Sequence, residues 1–245
     1  MRRVLILGGT SEGRALAAVL DGTPGVDVIS SLAGRVANPR LPEGEVRIGG
    51  FGGADGLAEW LRDNGIDAVV DATHPFASRI TANAAAATRH AGVPMLVLRR
   101  PEWAPAEGDR WHAVPDLEAA AGAVSALGSR VLLTIGRQGV DAFAAESAWF
   151  LIRAIDPPTV AVPRRSEVLL ARGPFTVDDE VATMREHRIE VLVTKNSGGA
   201  LTAAKLDAAR TLGLPVVMVS RPDIPAGVAM TSDPDRARTW AARGD

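Results

Sequence analysis

Apolar residues along the chain fall into short uninterrupted runs, separated by stretches in which Ala, Leu and Val recur at helical spacing. Short continuous apolar runs predict strands buried on both faces, and recurrence at i, i+3 and i+4 predicts helices packed on them. The pattern predicts strands at Val4–Leu7, Val26–Ser31, Val46–Ile48, Ala68–Asp71 and Met95–Leu98. Helices are expected at Ser11–Leu20, where Leu16, Ala17 and Leu20 share a face, at Ala54–Asn64 before Gly65, and at Ser78–His90 before Gly92. From Arg100 to Arg110 prolines and charges break the alternation, and the segment reads as a domain connection. A second series follows, with a helix at Asp116–Leu127 and strands at Val131–Ile135, Trp149–Ile155 and Val168–Ala171. It continues with helix Asp179–His187, strand Val191–Thr194, helix Leu201–Leu212, strand Val216–Ser220 and a terminal helix at Asp235–Ala242. The expected fold is α/β: two Rossmann-like parallel-sheet domains, residues 1–105 and 106–245, with a ligand cleft between them.

The carboxyl ends of these strands carry the candidate chemistry. Gly8-Gly9-Thr10-Ser11-Glu12-Gly13-Arg14 follows the first strand and opens the first helix. Glycines allow a tight turn and close approach of a pyrophosphate, which free N–H groups and the helix dipole favour. Thr10 stands where a G-x-G-x-x-G fingerprint has its second glycine, and a plain strand–helix turn with Ser11 as N-cap is the alternative. The second strand ends in Ser30-Ser31-Leu32-Ala33-Gly34-Arg35, where an NAD binder would carry Asp or Glu for the ribose 2′-OH. Hydroxyls and an arginine suit a 2′-phosphate, so the expectation is NADPH, with a solvated loop charge the other reading of Arg35. Gly49-Gly50-Phe51-Gly52-Gly53 reads either as backbone passing a flat ligand or as a mobile loop. Asp71-Ala72-Thr73-His74-Pro75-Phe76 places His74 either as a donor to cofactor or substrate or as a cap for the next helix.

In the second half, Thr134-Ile135-Gly136-Arg137 and Thr194-Lys195-Asn196-Ser197-Gly198-Gly199 end two strands. The latter gathers hydroxyl, ammonium, amide and backbone N–H groups, a donor set for a carboxylate or other anion, unless it is a glycine-rich helix entry with an exposed lysine. Arg137, Arg153, Arg164, Arg165 and Arg172 either form a solvated face or answer to a substrate with several carboxylates.

Composition narrows the field. The 245 residues are 47% hydrophobic and 23% charged with a net charge of −2, which supports neither a nucleic-acid nor a membrane-surface partner. No apolar run approaches the roughly 20 residues of a membrane helix. Met1 to Gly8 holds too few apolar residues for a signal peptide, so a cytoplasmic location is expected. The absence of cysteine excludes disulfides, thiol nucleophiles and iron–sulfur clusters, and the absence of tyrosine excludes a Tyr proton donor. Lys195 and Lys205 are the two lysines among 27 basic residues. His74, His90, His112 and His187 lack metal-ligand spacing, so no metal is expected.

The glycine turn, Ser31-Leu32-Ala33-Gly34-Arg35, Gly49–Gly53, Asp71–Ala77 and Thr194–Gly199 together resemble the signature segments of the precorrin-6A reductase family, in its order and spacing. The resemblance runs from Arg3 to about Gly227. It implies an enzyme of cobalamin biosynthesis that uses NADPH to reduce one ring double bond of precorrin-6A, giving precorrin-6B. It implies cofactor contacts from Gly8 to Gly13 and from Ser30, Ser31, Arg35, Gly50, Phe51, Gly52, Ala72, Thr73, His74 and Pro75. The tetrapyrrole substrate would meet Arg14, Arg137, Lys195, Asn196, Ser197 and Gly198, with Lys195 and His74 the catalytic candidates. A transient contact with the next pathway enzyme is a possible further partner. The alternatives are reduction of the cobalt-containing substrate by NADH and a non-catalytic NADPH-sensing module. A sensor has no need of the second anion site around Lys195.

Overall fold

The computed structural model describes residues 1–34 and 40–244. The chain divides into two units, Met1–Pro101 with Pro222–Asp245, and Glu102–Arg221. The first contains β1 (Arg2–Leu7), α1 (Ser11–Asp21), β2 (Val26–Leu32), β3 (Glu45–Ile48), α2 (Ala54–Asp63), β4 (Ala68–Asp71), α3 (Ser78–Ala91) and β5 (Met95–Leu98). The second contains β6 (Arg110–Val114), α4 (Leu117–Val124), β7 (Arg130–Leu133), β8 (Trp149–Ala154), β9 (Ser166–Leu170), α5 (Val177–Glu186), β10 (Val191–Lys195), α6 (Ala204–Thr211) and β11 (Pro215–Val219). Short 3₁₀ turns lie at Val140–Phe143 and Ala200–Thr202. The chain then returns to the first unit with β12 (Ala229–Thr231) and α7 (Pro234–Arg243).

Both sheets are six-stranded and wholly parallel. Their orders are β3-β2-β1-β4-β5-β12 and β9-β8-β7-β10-β11-β6. Each is a doubly wound order whose winding reverses between two central strands, β1 and β4 in the first unit and β7 and β10 in the second. Neighbouring loops leave such a reversal in opposite directions, opening a crevice at the carboxyl ends.

Successive side chains on a strand face opposite ways, so each central strand feeds two cores. In the first unit Val4, Ile6, Val28 and Val70 pack with Leu16 and Leu20 of α1 and Ala237 and Ala241 of α7. Leu5, Leu7, Ile29 and Val69 pack instead with Leu57 and Leu61 of α2 and Ala84 of α3. In the second, Leu132, Leu151, Leu192 and Val216 meet Met184 and Leu206. Among the described residues no helix is long and apolar enough to cross a membrane.

Two expectations need correction. The expected second domain, 106–245, keeps only its portion up to Arg221, and the segment from Pro222 completes the first sheet through β12 beside β5. The expected boundary after residue 105 also falls late, because Glu102 and Trp103 already belong to the second unit. Trp103 accounts for this, since its indole Nε1 donates to Gly199 O at 3.0 Å and its backbone N donates to Asn196 Oδ1 at 2.9 Å.

Candidate functional site

The first unit's reversal brings together the segments after β1 and β4. Gly8 N donates to Ser31 O at 2.9 Å and Ala72 N to Leu7 O at 2.9 Å, which ties the loop after β1 to β2 and the loop after β4 to β1. Thr10, not Ser11, is the N-cap of α1. Its buried Oγ1 accepts from Gly13 N at 3.1 Å and donates to Ala72 O at 2.7 Å, stitching the turn to the β4 loop. Thr10 therefore does structural work that a glycine could not. Thr10→Val should cost about 1–2 kcal/mol of stability in denaturant unfolding, because it strips a cap and leaves a buried carbonyl unpaired. A variant as stable as the parent would show both bonds to be dispensable.

The glycines divide their roles. Gly9 has φ +120°, and a Cβ there would meet no atom within 4 Å, so open space lies before the turn. A Cβ on Gly13 would press on Ala72 Cβ at 3.2 Å, making Gly13 the close-packing position. Ser11 donates to Glu12 Oε2 at 3.0 Å, and Arg100 pairs with the same carboxylate at 3.1 Å. Burial pushes the Glu12 carboxyl up, but its own backbone N–H, the Arg100 charge and the Ser11 hydroxyl outweigh this and hold it below the usual range. Glu12 is thus a neutralised anion at a helix start. Arg14 is half-buried in the same first turn.

After β4, Asp71 is buried and organises its loop. Oδ1 accepts from Thr73 N (3.0 Å) and Thr73 Oγ1 (2.6 Å), and Oδ2 accepts from Thr81 Oγ1 (2.6 Å). His74 is exposed and does not cap α3, whose N-cap is Ala77. Its Nδ1 accepts from Phe76 N at 3.3 Å, which leaves the proton of the neutral ring on Nε2. A small crevice is lined by Thr10, Glu12, Thr73, Pro75, Arg99 and Arg100.

At the end of β2, Ser30 and Ser31 are both buried. Ser30 Oγ has no hydrogen-bond partner among the described residues. Arg35 lies outside the described residues. The glycine segment after β3 is anchored: Phe51 packs edge-on against Trp60 at 5.4 Å, and a Cβ on Gly56 would collide with the Phe51 carbonyl. A residue absent from the expectations, Arg47 on β3, organises this corner. Nη1 donates to Gly49 O at 2.7 Å and approaches Ser31 Oγ at 3.5 Å, Nη2 donates to Gly50 O at 2.7 Å, and the guanidinium lies 3.7 Å from the Phe51 centroid. The available signal was its place two residues before the glycine run.

In the second unit Lys195 ends β10, and its Nζ donates to Ile135 O, after β7, at 3.1 Å. Its ammonium therefore spans that unit's reversal point, and burial pushes its pKa below the ordinary lysine value. Asn196 is committed to the entry segment: besides accepting from Trp103 N, its Nδ2 donates to Glu102 Oε2 (3.2 Å) and Trp103 O (3.1 Å). Ser197 N bonds back to Lys195 O at 2.7 Å, and Gly198 and Gly199 have φ +65° and +83°. These glycines lead into the 3₁₀ turn Ala200–Thr202, so α6 starts later than the pattern suggests.

The arginine set differs in burial from member to member. Arg153 is buried and makes two 2.8 Å bonds to Glu180, while Arg164, Arg165 and Arg172 are exposed and Arg137 half-buried. The Arg153–Glu180 pair lines a cavity of about 220 Å³ with Thr134, Gly136, Phe175 and Lys205.

Comparison with known proteins agrees with the arrangement. The precorrin-6A reductase of Rhodococcus erythropolis is 63% identical over 241 residues, covering 98% of this chain and 97% of that protein. The precorrin-6A reductase of Mycobacterium tuberculosis is 57% identical over 243 residues, covering 99% and 98%. A solved structure described as CobK precorrin-6A reductase superposes with a TM-score of 0.91 at 42% identity, covering 99% of this chain and 96% of that one. The profile described as Precorrin-6x reductase CbiJ/CobK matches residues 3–242. With a solved relative superposing along nearly the whole chain and the family match running nearly end to end, this chain belongs to the precorrin-6x reductase CbiJ/CobK family.

Proposed function

We propose that the protein reduces one ring double bond of precorrin-6A to give precorrin-6B, using NADPH, in cobalamin biosynthesis. The observation that carries the reading is that the two reversal points hold different chemistry. The first offers a glycine turn, buried serine hydroxyls and no carboxylate at the end of β2. The second offers a desolvated ammonium and a glycine-rich segment.

The first unit fits a dinucleotide. Gly9 leaves open space before the turn, the α1 N-terminus favours a pyrophosphate, and Ser30 Oγ is a buried hydroxyl in need of a partner. Gly8 to Gly13 would hold the pyrophosphate, Ser30, Ser31 and Arg35 the adenosine end, and Ala72, Thr73 and Pro75 the nicotinamide end. A bound reduced nicotinamide would supply the hydride. His74 would donate from Nε2 to cofactor or substrate, and Lys195, with Arg137 and Gly198 of the same unit, would answer the substrate's carboxylates. Asn196 would act by holding the Lys195 segment in place. The same reading puts the enzyme in the cytoplasm, with its product passing to the next pathway enzyme.

The test is loss of reduced-nicotinamide absorbance on mixing protein, NADPH and precorrin-6A. Turnover that requires the macrocycle supports the reading, and NADPH binding without turnover favours a sensor. For Arg35→Ala, NADPH affinity should fall roughly 10- to 100-fold with NADH nearly unchanged, the scale of a lost charge-assisted contact. Equal loss for both would make Arg35 structural.

A further inference from the structure

We propose that Arg47, held against Phe51 at the end of β3, is a specificity-determining residue that recognises the adenosine 2′-phosphate of the cofactor. This rests on the reading that the first unit binds a nicotinamide dinucleotide.

Ser31 on β2 pairs directly with Arg47 on β3, so the arginine projects from the strand next to the position where an NAD binder keeps its ribose-binding carboxylate. Nothing acidic replaces that carboxylate; the neighbouring group on the same face is the hydroxyl of Ser31. A corner built of a hydroxyl and a guanidinium selects an anion over a neutral diol.

The Arg47 guanidinium is prealigned. Two carbonyls and an aromatic face hold it in one orientation, so little ordering is left for a ligand to induce. Arg3 and Arg100 of the same unit pair with Asp27 and Glu12, whereas Arg47 has no carboxylate partner among the described residues. Its contacts use both Nη1 protons and one on Nη2. The Nε–H and the second Nη2–H have no acceptor among the described residues. A half-buried, prealigned cation with donors to spare, beside the Ser31 hydroxyl on the same face of the sheet, is a built receptor for a compact polyanion. A phosphate monoester at that corner would satisfy the guanidinium and a serine hydroxyl together.

Titration calorimetry on the intact protein tests this with two ligand pairs that each differ by one 2′-phosphate: adenosine 2′,5′-bisphosphate against adenosine 5′-monophosphate, and NADPH against NADH. The parent should bind the first member of each pair more tightly. Arg47→Gln should weaken the phosphorylated members by about 10- to 100-fold and leave the others within about twofold, while Arg47→Lys keeps part of the preference. Unchanged affinity for NADH serves as the folding control. Three results overturn the proposal: an intact preference in Arg47→Gln, an equal loss for NADPH and NADH, or no preference in the parent. The equal loss would make Arg47 a clamp for the glycine segment. A parent that binds none of the four ligands removes the dinucleotide reading itself, and this assignment with it.

Discussion

Lys195→Ala is expected to lower kcat/KM for precorrin-6A by roughly 10- to 1,000-fold, about 1.4–4 kcal/mol, while the NADPH dissociation constant stays within about twofold. Lys195 is in the second unit, far along the chain from the glycine turn, and its ammonium sits at that unit's reversal point, donating to Ile135 O. A carboxylate arriving there would meet a cation already stripped of much of its water, where one charge-assisted contact is strong. Burial lowers the Lys195 pKa, so the cation is present at low pH and is lost as pH rises through a value below the ordinary 10.5. The alkaline limb of kcat/KM should therefore fall earlier than for an ordinary lysine. It should be missing in Lys195→Arg, which stays charged. Steady-state NADPH oxidation beside a direct cofactor titration separates the outcomes. Unchanged turnover, or a loss that follows weakened NADPH binding, would take Lys195 out of the substrate site.

Gly9→Val should abolish measurable binding of both NADPH and NADH, a loss of at least about 100-fold, in a protein that remains folded. Two effects combine. The φ of +120° at this position is closed to a β-branched residue, so the turn must move. The side chain would also fill the open space that a pyrophosphate needs to reach the backbone. Because no atom lies within 4 Å of the new Cβ and Gly9 is exposed, the cores of the first unit are spared. A variant with native circular dichroism and normal NADPH affinity would place the phosphates elsewhere.

The strands that the sequence made legible are those with continuous apolar runs. Ala68–Asp71 and Met95–Leu98 match their expected limits, because central parallel strands are buried on both faces and tolerate few polar residues. β6 and β12 escaped for the opposite reason. Each is an edge strand with exposed residues, Arg110 and His112 in one and Ala229 and Met230 in the other, and neither has a run to detect. The return of α7 to the first unit was equally hidden. Its apolar contacts, Ala237 and Ala241 against Leu16 and Leu20, are small residues whose partners lie more than 200 positions away.

The site followed the same rule. The loops at carboxyl ends of strands were visible from their glycines, yet the bonds that make them a site were not. Thr10 looked like a defect in a glycine fingerprint and is instead the cap joining two loops. Arg153 looked like a member of an anion-binding set and spends its guanidinium on Glu180. Arg47 sat inside a predicted strand, and only the register beside Ser31 shows where its charge goes.

Because β12 and α7 lie beyond the whole second unit in the chain, the order of synthesis and the order of folding cannot coincide. The second unit is one continuous stretch and can finish as soon as Arg221 has emerged. The first must wait, with β5 unpaired on one side and Leu16, Leu20, Leu96 and Leu98 lacking the cover of α7. At translation rates of roughly 5–20 residues per second, that interval is on the order of ten seconds. During it, a parallel edge and an apolar face are open to other nascent chains, the condition under which strands pair wrongly. The domain begun first is therefore completed last, and expression host and temperature should govern the yield of soluble protein more through this interval than through the stability of the finished fold.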